Sequence, residues 1–206
     1  MKKALVVACV VLCAIPLHSQ EGKEERSSNL KQYYSGKFGF YQPGEGLNNG
    51  LMIGIDGITE FLHYDFFLGG AIDLYPKQSF DFFKDPKPSV TQQSIILIPL
   101  HVNFGYRLYE APDADSRGYV GAGFGYYLYF YNVDYQTGGG ILGGLTNNSD
   151  SKNGGAFFVT AFFRVLIGKV FVEPRAYLAQ KSEDSVGNFS YVVNPSGYAV
   201  TIGFQY

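Results

Sequence analysis

The sequence predicts an all-β fold, an antiparallel up-and-down transmembrane β-barrel of about eight strands. Three observations point there: side chains alternate between apolar and polar over long runs, the apolar face carries more bulk than a barrel this small could enclose, and the chain opens on the layout of an export signal. No run after residue 20 supplies the roughly 20 apolar residues that a spanning helix needs.

Period two is the test for each strand, because successive side chains of an extended chain point to opposite faces. The first strand sets Phe38 and Phe40 against Lys37, Gly39 and Tyr41, and the second sets Leu51, Ile53 and Ile55 against Met52, Gly54 and Asp56. In the third, Phe66, Leu68, Gly70, Ile72 and Leu74 oppose Asp65, Gly69, Ala71, Asp73 and Tyr75. The fourth is the cleanest: Ile96, Ile98, Leu100, Val102, Phe104, Tyr106 and Leu108 share one face, while Pro99, His101, Asn103, Gly105 and Arg107 share the other. No helix produces that pattern.

The fifth strand places Val120, Ala122, Phe124, Tyr126, Leu128 and Phe130 opposite Gly121, Gly123, Gly125, Tyr127, Tyr129 and Tyr131. The sixth runs over 156–166 and sets Phe157, Val159, Ala161, Phe163 and Val165 against Ala156, Phe158, Thr160, Phe162 and Arg164. In the seventh, over 169–178, Val170, Val172, Pro174, Ala176 and Leu178 oppose Lys169, Phe171, Glu173, Arg175 and Tyr177. The eighth alternates Tyr198, Val200, Ile202, Phe204 and Tyr206 with Ala199, Thr201, Gly203 and Gln205.

Connections alternate in length. Residues 42–50, 76–92, 134–155 and 179–196 are mostly long and rich in Gly, Pro, Asn, Asp and Ser, whereas Ile167-Gly168 makes a tight turn and 110–117 a modest polar loop. Residues 57–64 carry the weakest signal and read either as a connection or as an extension of the second strand. Long loops on one rim and short turns on the other are the asymmetry of outer-membrane barrels, whose short turns are periplasmic.

Residues 1–20 read as a signal peptide: Lys2 and Lys3, then an apolar run from Ala4 to Ile15, then charge from Glu21. Residues 21–35 form a charged periplasmic lead-in, and 36–206 the barrel domain. Both cysteines, Cys9 and Cys13, fall within the signal, so the exported part has no disulfide scaffold or thiolate chemistry. Losing the two signal lysines leaves 14 Lys and Arg against 18 Asp and Glu, with no basic excess for nucleic acid.

Two barrel types share this alternation. A lipocalin-like barrel turns its apolar face inward, but eight strands leave an interior only wide enough for side chains to fill. Inversion would also expose Tyr127, Tyr129 and Tyr131 on a surface poorer in charge than the roughly 25–35% of a soluble protein. The apolar face therefore meets lipid. The inward set becomes Lys37, Asp56, Asp65, Asp73, His101, Arg107, Arg164, Lys169, Glu173 and Arg175, of which all but Asp65 are taken as the lumen charge network. Near-balance of sign in a narrow lumen points to mutual salt bridges that plug it; a gated polar path is the alternative.

The motif Lys37-Phe38-Gly39-Phe40-Tyr41-Gln42-Pro43, the run Gly118-Tyr119-Val120-Gly121-Ala122-Gly123-Phe124-Gly125 and the final strand ending on Tyr206 resemble the small eight-stranded outer-membrane barrel families, OmpW-like and OmpA/OmpX-like. The resemblance covers nearly all of 36–206. It implies residence in the bacterial outer membrane, contact with outer-membrane lipid and lipopolysaccharide, and a terminal signal for the assembly machinery formed by Tyr198, Val200, Ile202, Phe204 and Tyr206. A structural or surface-interaction role follows, with the long loops displayed outward to an unidentified extracellular ligand. An OmpW-like channel for small hydrophobic solutes is the alternative.

Enzymatic chemistry finds little support. His63 and His101 are the only histidines after the signal, and neither has a nucleophile at useful spacing. The glycines at 138–140 and 143–144 lack the Lys-Ser/Thr of a phosphate loop. Asp81, Asp85, Asp113 and Asp115 read as solvated loop charges. No catalytic residue, metal site or cofactor is expected, and a lipid-modifying enzyme ranks behind both barrel functions.

Overall fold

The computed structural model describes residues 30–44, 47–78, 89–112, 116–137, 146–186 and 189–206. The expected signal and residues 21–29 of the lead-in lie outside that range, as do Asp81, Asp85, Asp113, Asp115 and the glycine runs.

The wall begins with β1 (Leu30–Pro43), β2 (Gly50–Phe61), β3 (Phe66–Lys77), β4 (Ser89–Glu110), β5 (Ser116–Thr137), β6 (Thr146–Ile167) and β7 (Val170–Ala179). A hairpin of β8 (Ser182–Val186) and β9 (Phe189–Val193) then forms its own two-stranded sheet before β10 (Gly197–Gln205) completes the wall. The ring order is β1-β10-β7-β6-β5-β4-β3-β2. Closure is made by β1 against β10, from Ser35 opposite Gln205 to Pro43 opposite Gly197. All eight expected wall strands are present, and the ring has no free sheet edge along its paired height.

Two rims differ in construction. At the turn rim, Leu30 and Tyr206 lie at the same end as the turns at 62–65 and 168–169 and as Glu110 and Ser116, the facing ends of β4 and β5. Gly168 (φ 60°) and Asp65 (φ 51°) supply the left-handed backbone that such turns require, one without a Cβ and the other with a residue type tolerant of that region. The other end, the loop rim, carries the longer connections.

Three expectations are corrected. Residues 30–35 belong to β1 and not to the lead-in; Leu30 to Ser35 pair with Phe61 to Asp56. Residues 76–77, 89–92, 134–137 and 146–155, expected as loop, are strand, because β3 runs to Lys77 and β4, β5 and β6 each run for 22 residues. Within 179–196, the hairpin replaces a structureless loop. The second error has a physical cause. Beyond Phe130 the polarity of β5 reverses, so that Tyr131 and Val133 point inward and are buried while Asn132 faces out. A strand that has left hydrocarbon for water follows the soluble rule, and β6 between Thr146 and Gly155 is polar on both faces.

Below that reversal the outer face is apolar and the charged side chains of the strands point inward. Phe38, Leu51, Ile53, Phe124, Phe157, Leu178 and Val200 are all more than half exposed, whereas Lys37, Asp73, Arg164, Glu173 and Arg175 are at most 5% exposed. An apolar patch this continuous is untenable in water and is what a lipid-facing wall requires. The interior holds two apolar clusters. The loop-side cluster is rich in tyrosine and includes Tyr41, Met52, Tyr75, Tyr129 and Tyr131; the turn-side cluster contains Ile58, Phe67, Tyr119, Phe162, Leu166 and Phe171.

Candidate functional site: an ionic layer across the lumen

Between the two clusters lies a layer of charge built from six strands. Pairing aligns Lys37 with Gly54 and Gly54 with Asp73 across β1, β2 and β3. The missing side chain at Gly54 is what lets Lys37 Nζ reach Asp73 Oδ1 at 2.9 Å. A Cβ there would strike the Asp73 carboxylate and the Lys37 stem. Lys37 Nζ also lies 3.8 Å from Glu173 Oε1 and 4.0 Å from Asp56 Oδ2.

Arg164 on β6 binds two carboxylates. Its Nε donates to Glu173 Oε2 at 2.8 Å, and its Nη2 lies 2.5 Å from both Glu173 Oε2 and Asp56 Oδ2. Arg175 donates from Nε to Glu173 Oε1 at 2.9 Å and from Nη1 to Asn103 Oδ1 at 2.9 Å. His101 sits between Asp73, with Nε2 3.0 Å from Oδ2, and Asn103, with Nδ1 2.9 Å from Oδ1. Tyr177 donates its hydroxyl to Asp73 Oδ2 at 3.1 Å. Three cationic chains (Lys37, Arg164, Arg175) thus meet three carboxylates (Asp56, Asp73, Glu173), all nearly inaccessible. The two guanidinium groups rest on turn-side rings, Arg164 at 4.0 Å from the Phe171 centroid and Arg175 at 4.1 Å from that of Phe162, which suits a cation over an aromatic face.

Seven of the nine expected positions meet in this layer: Lys37, Asp56, Asp73, His101, Arg164, Glu173 and Arg175. Arg107 and Lys169 do not. Arg107 belongs to a separate cluster at the turn rim, where it meets Asp65 Oδ1 at 2.5 Å, Glu110 Oε2 at 2.8 Å and Glu60 Oε2 at 3.6 Å. In the same cluster Arg117 donates to Glu110 Oε1 and to the Tyr33 hydroxyl, both at 2.8 Å, and Tyr119 donates to Glu60 at 2.5 Å. Lys169 is exposed in the tight turn beside Gly168. Sequence reasoning passed over Asn103 and Tyr177, which stand on the polar face by parity but carry no charge, and Glu60, which lies in the stretch of weakest alternation.

The other candidates sit apart. Tyr198, Val200, Ile202, Phe204 and Tyr206 all lie exposed on the outer face of the last strand, alternating with buried Ala199, Thr201 and Gln205. His63 is on an exposed turn with its ring 5.2 Å from that of Tyr64.

The wall and its surface define a membrane-spanning β-barrel of the small outer-membrane type. No family model matches the chain, and no curated protein sequence matches it. Among solved structures, Ail, the attachment invasion locus protein of Yersinia pestis, in complex with the heparin analogue sucrose octasulfate, is similar over 85% of this chain and 99% of that one, at 11% identity and a TM-score of 0.51. A major outer membrane protein of Thermus thermophilus covers 85% of this chain and is covered over its whole length (100%), at 12% identity and a TM-score of 0.48. Neisserial surface protein A aligns over 87% and 98%, at 12% identity and 0.43. At such identities the likeness to Ail is one of fold.

Proposed function

We propose that this protein is an integral outer-membrane barrel with a structural or surface-interaction role and a lumen kept shut by its ionic layer. The carrying observation is the cross-strand pairing of Arg164 with Asp56 and Glu173, which puts charge across the centre of the lumen with apolar clusters above and below. In such surroundings paired charges hold one another strongly, and separating them leaves buried charge uncompensated. The short-turn rim faces the periplasm, and the extended β4–β6 sheet stands in the medium, where a rigid wall presents it for recognition. Outer-membrane lipid and lipopolysaccharide surround the exposed belt, and the alternating residues from Tyr198 to Tyr206 serve the assembly machinery. A non-enzymatic role is supported by the enclosure of His101 among Asp73, Asn103 and Arg175.

Planar-bilayer recording of the purified protein tests the closed lumen. The expected record has no discrete openings; regular openings of uniform size would overturn the reading. A second reading, handling of small hydrophobic solutes, is favoured by one feature. A depression of about 810 Å³ on the outer wall is lined by Phe104, Ala122, Phe124, Val159, Ala161 and Leu178, a volume in the range of small-molecule sites. Uptake of a hydrophobic dye into cells that depends on the protein, and falls on filling the depression with Ala161→Phe, would move the conclusion to that reading.

A further inference from the structure

At the loop rim one described segment stands apart from the wall. The β8–β9 hairpin contributes no strand to the barrel; its ladder is internal, from Ser182 opposite Val193 to Val186 opposite Phe189. Its stem is firmly tied to the wall. Ser196 Oγ accepts from Ala179 N at 3.0 Å and donates to Ala179 O at 3.2 Å, Gln180 N donates to Phe157 O at 3.0 Å, and Tyr127 donates its hydroxyl to Gln180 O at 2.7 Å. The Tyr41 hydroxyl donates to Pro195 O on the returning side of the stem.

The body of the hairpin is held differently. Two neighbouring inward positions of β9, Tyr191 and Val193, are completely buried, and the Tyr191 ring meets that of Tyr131 edge-on at 4.9 Å. Tyr129 Oη lies 3.0 Å from Ser182 Oγ, and Lys152 Nζ donates to Ser185 O. Among the described residues these contacts are made by side chains, and no main-chain ladder joins the hairpin to the wall strands. Behind them lie Tyr129, Tyr131, Val133, Ile95 and Leu97, an apolar inner wall with at most 2% exposure. Of these, Tyr131 and Val133 lie beyond the Phe130 level at which the outer face turns polar, on the side the hairpin covers.

We propose that the β8–β9 hairpin is a hinged cap, fixed at residues 179–181 and 194–196 and latched by Tyr191 and Val193, that controls aqueous access to the tyrosine-lined upper lumen. A unit with a tied stem, an internal ladder and a small apolar latch can open as a body without disturbing the ring, since elements with few main-chain bonds to the rest open at lower free energy than the global fold. The ionic layer stays closed beneath it, so the cap regulates exposure of a vestibule and not a conducting path.

Thiol labelling from the aqueous side tests this, in a Cys9→Ser, Cys13→Ser background in detergent or lipid vesicles. Val133→Cys reports on the space under the cap, and Phe171→Cys, equally buried in the turn-side cluster, is the control. The expected result is slow labelling of Val133→Cys by a charged maleimide, at least tenfold faster when Tyr191→Ala removes the latch, with Phe171→Cys unlabelled in both backgrounds. Three outcomes overturn the cap: Val133→Cys as resistant as Phe171→Cys with and without Tyr191, unhindered labelling in both, or Tyr191→Ala accelerating both reporters alike. Hydrogen exchange on the unaltered chain gives an independent reading. Residues 182–186 and 189–193 should exchange together and ahead of β7; exchange in step with β7 would remove the hinge.

Discussion

Arg164 Nη2 lies 2.5 Å from Asp56 Oδ2, and the two residues stand on strands diametrically opposed in the eight-membered ring. They are 108 residues apart in sequence. Tyr177 and Asp73, 104 residues apart, also join opposite strands, through the 3.1 Å hydrogen bond to Oδ2. The interior is therefore braced across its width as well as round its wall. A buried ion pair of this kind is weak evidence of net stabilisation, because desolvation offsets the attraction, but removing one partner is costly.

Arg164→Ala should accordingly destabilise the barrel by about 3–5 kcal/mol, since Asp56 and Glu173 lose their shared cation in a water-poor layer. Urea unfolding in lipid vesicles, followed by tyrosine fluorescence and by heat-modifiable gel mobility, measures the difference. A loss below about 1 kcal/mol, the range of exposed pairs, would show that water screens the layer.

Gly54→Ala tests whether the Lys37–Asp73 contact depends on an absent side chain. The added methyl meets the Asp73 carboxylate and the Lys37 stem, so overpacking should cost about 1–3 kcal/mol. Gly36→Ala, where the new methyl meets open space, should fall well below that in the same unfolding assay.

The lipid-facing wall predicts a depth-dependent penalty. Ile53→Arg places a charge on the exposed apolar belt, next to the level of the ionic layer, and should cost about 2–4 kcal/mol of folding free energy in a bilayer. Asn153→Arg, on the extended part of β6, should be nearly neutral. Equal tolerance of both substitutions would contradict an exterior embedded in hydrocarbon.

Arg107 sits at the turn rim, partly open to solvent and facing Asp65, Glu60 and Glu110. Its truncation to alanine should cost clearly less than that of Arg164, and the part owed to Asp65 and Glu110 should vanish in high salt, because those two partners are open to solvent and screened. The Arg164→Ala deficit should persist at the same salt concentration. A reversal of that order would mean that the buried and rim clusters had been assigned the wrong environments.

Phe204→Ser combined with Tyr206→Ser should lower the amount of protein inserted in the outer membrane severalfold in cells, while the purified variant refolds into vesicles with stability close to that of the parent. Cell fractionation and the unfolding assay read the two arms. Parallel losses in both would reduce these residues to ordinary wall positions.

The wall was legible in the amino-acid order because parity is a local property. Lys37 and Phe38 must point to opposite faces whatever the rest of the chain does, and the clean alternation from Ile96 to Leu108 required only that the backbone be extended. Parity assigns a face, however, and says nothing about height. Arg107 and Arg175 both belong to the polar face, yet register puts one at the turn rim and the other in the central layer. Which charges meet across the lumen depends on ring closure and on the stagger between strands, so Asp56 and Arg164 had no local signal linking them. The extension of β4–β6 was hidden for a related reason: once those strands leave lipid, the solvent on their outer face changes and the polarity code inverts. Alternation alone thus determined an apolar-out barrel of eight strands, and only the closed ring decided the ionic brace and the hairpin that covers it, because both are made of contacts between residues far apart along the chain.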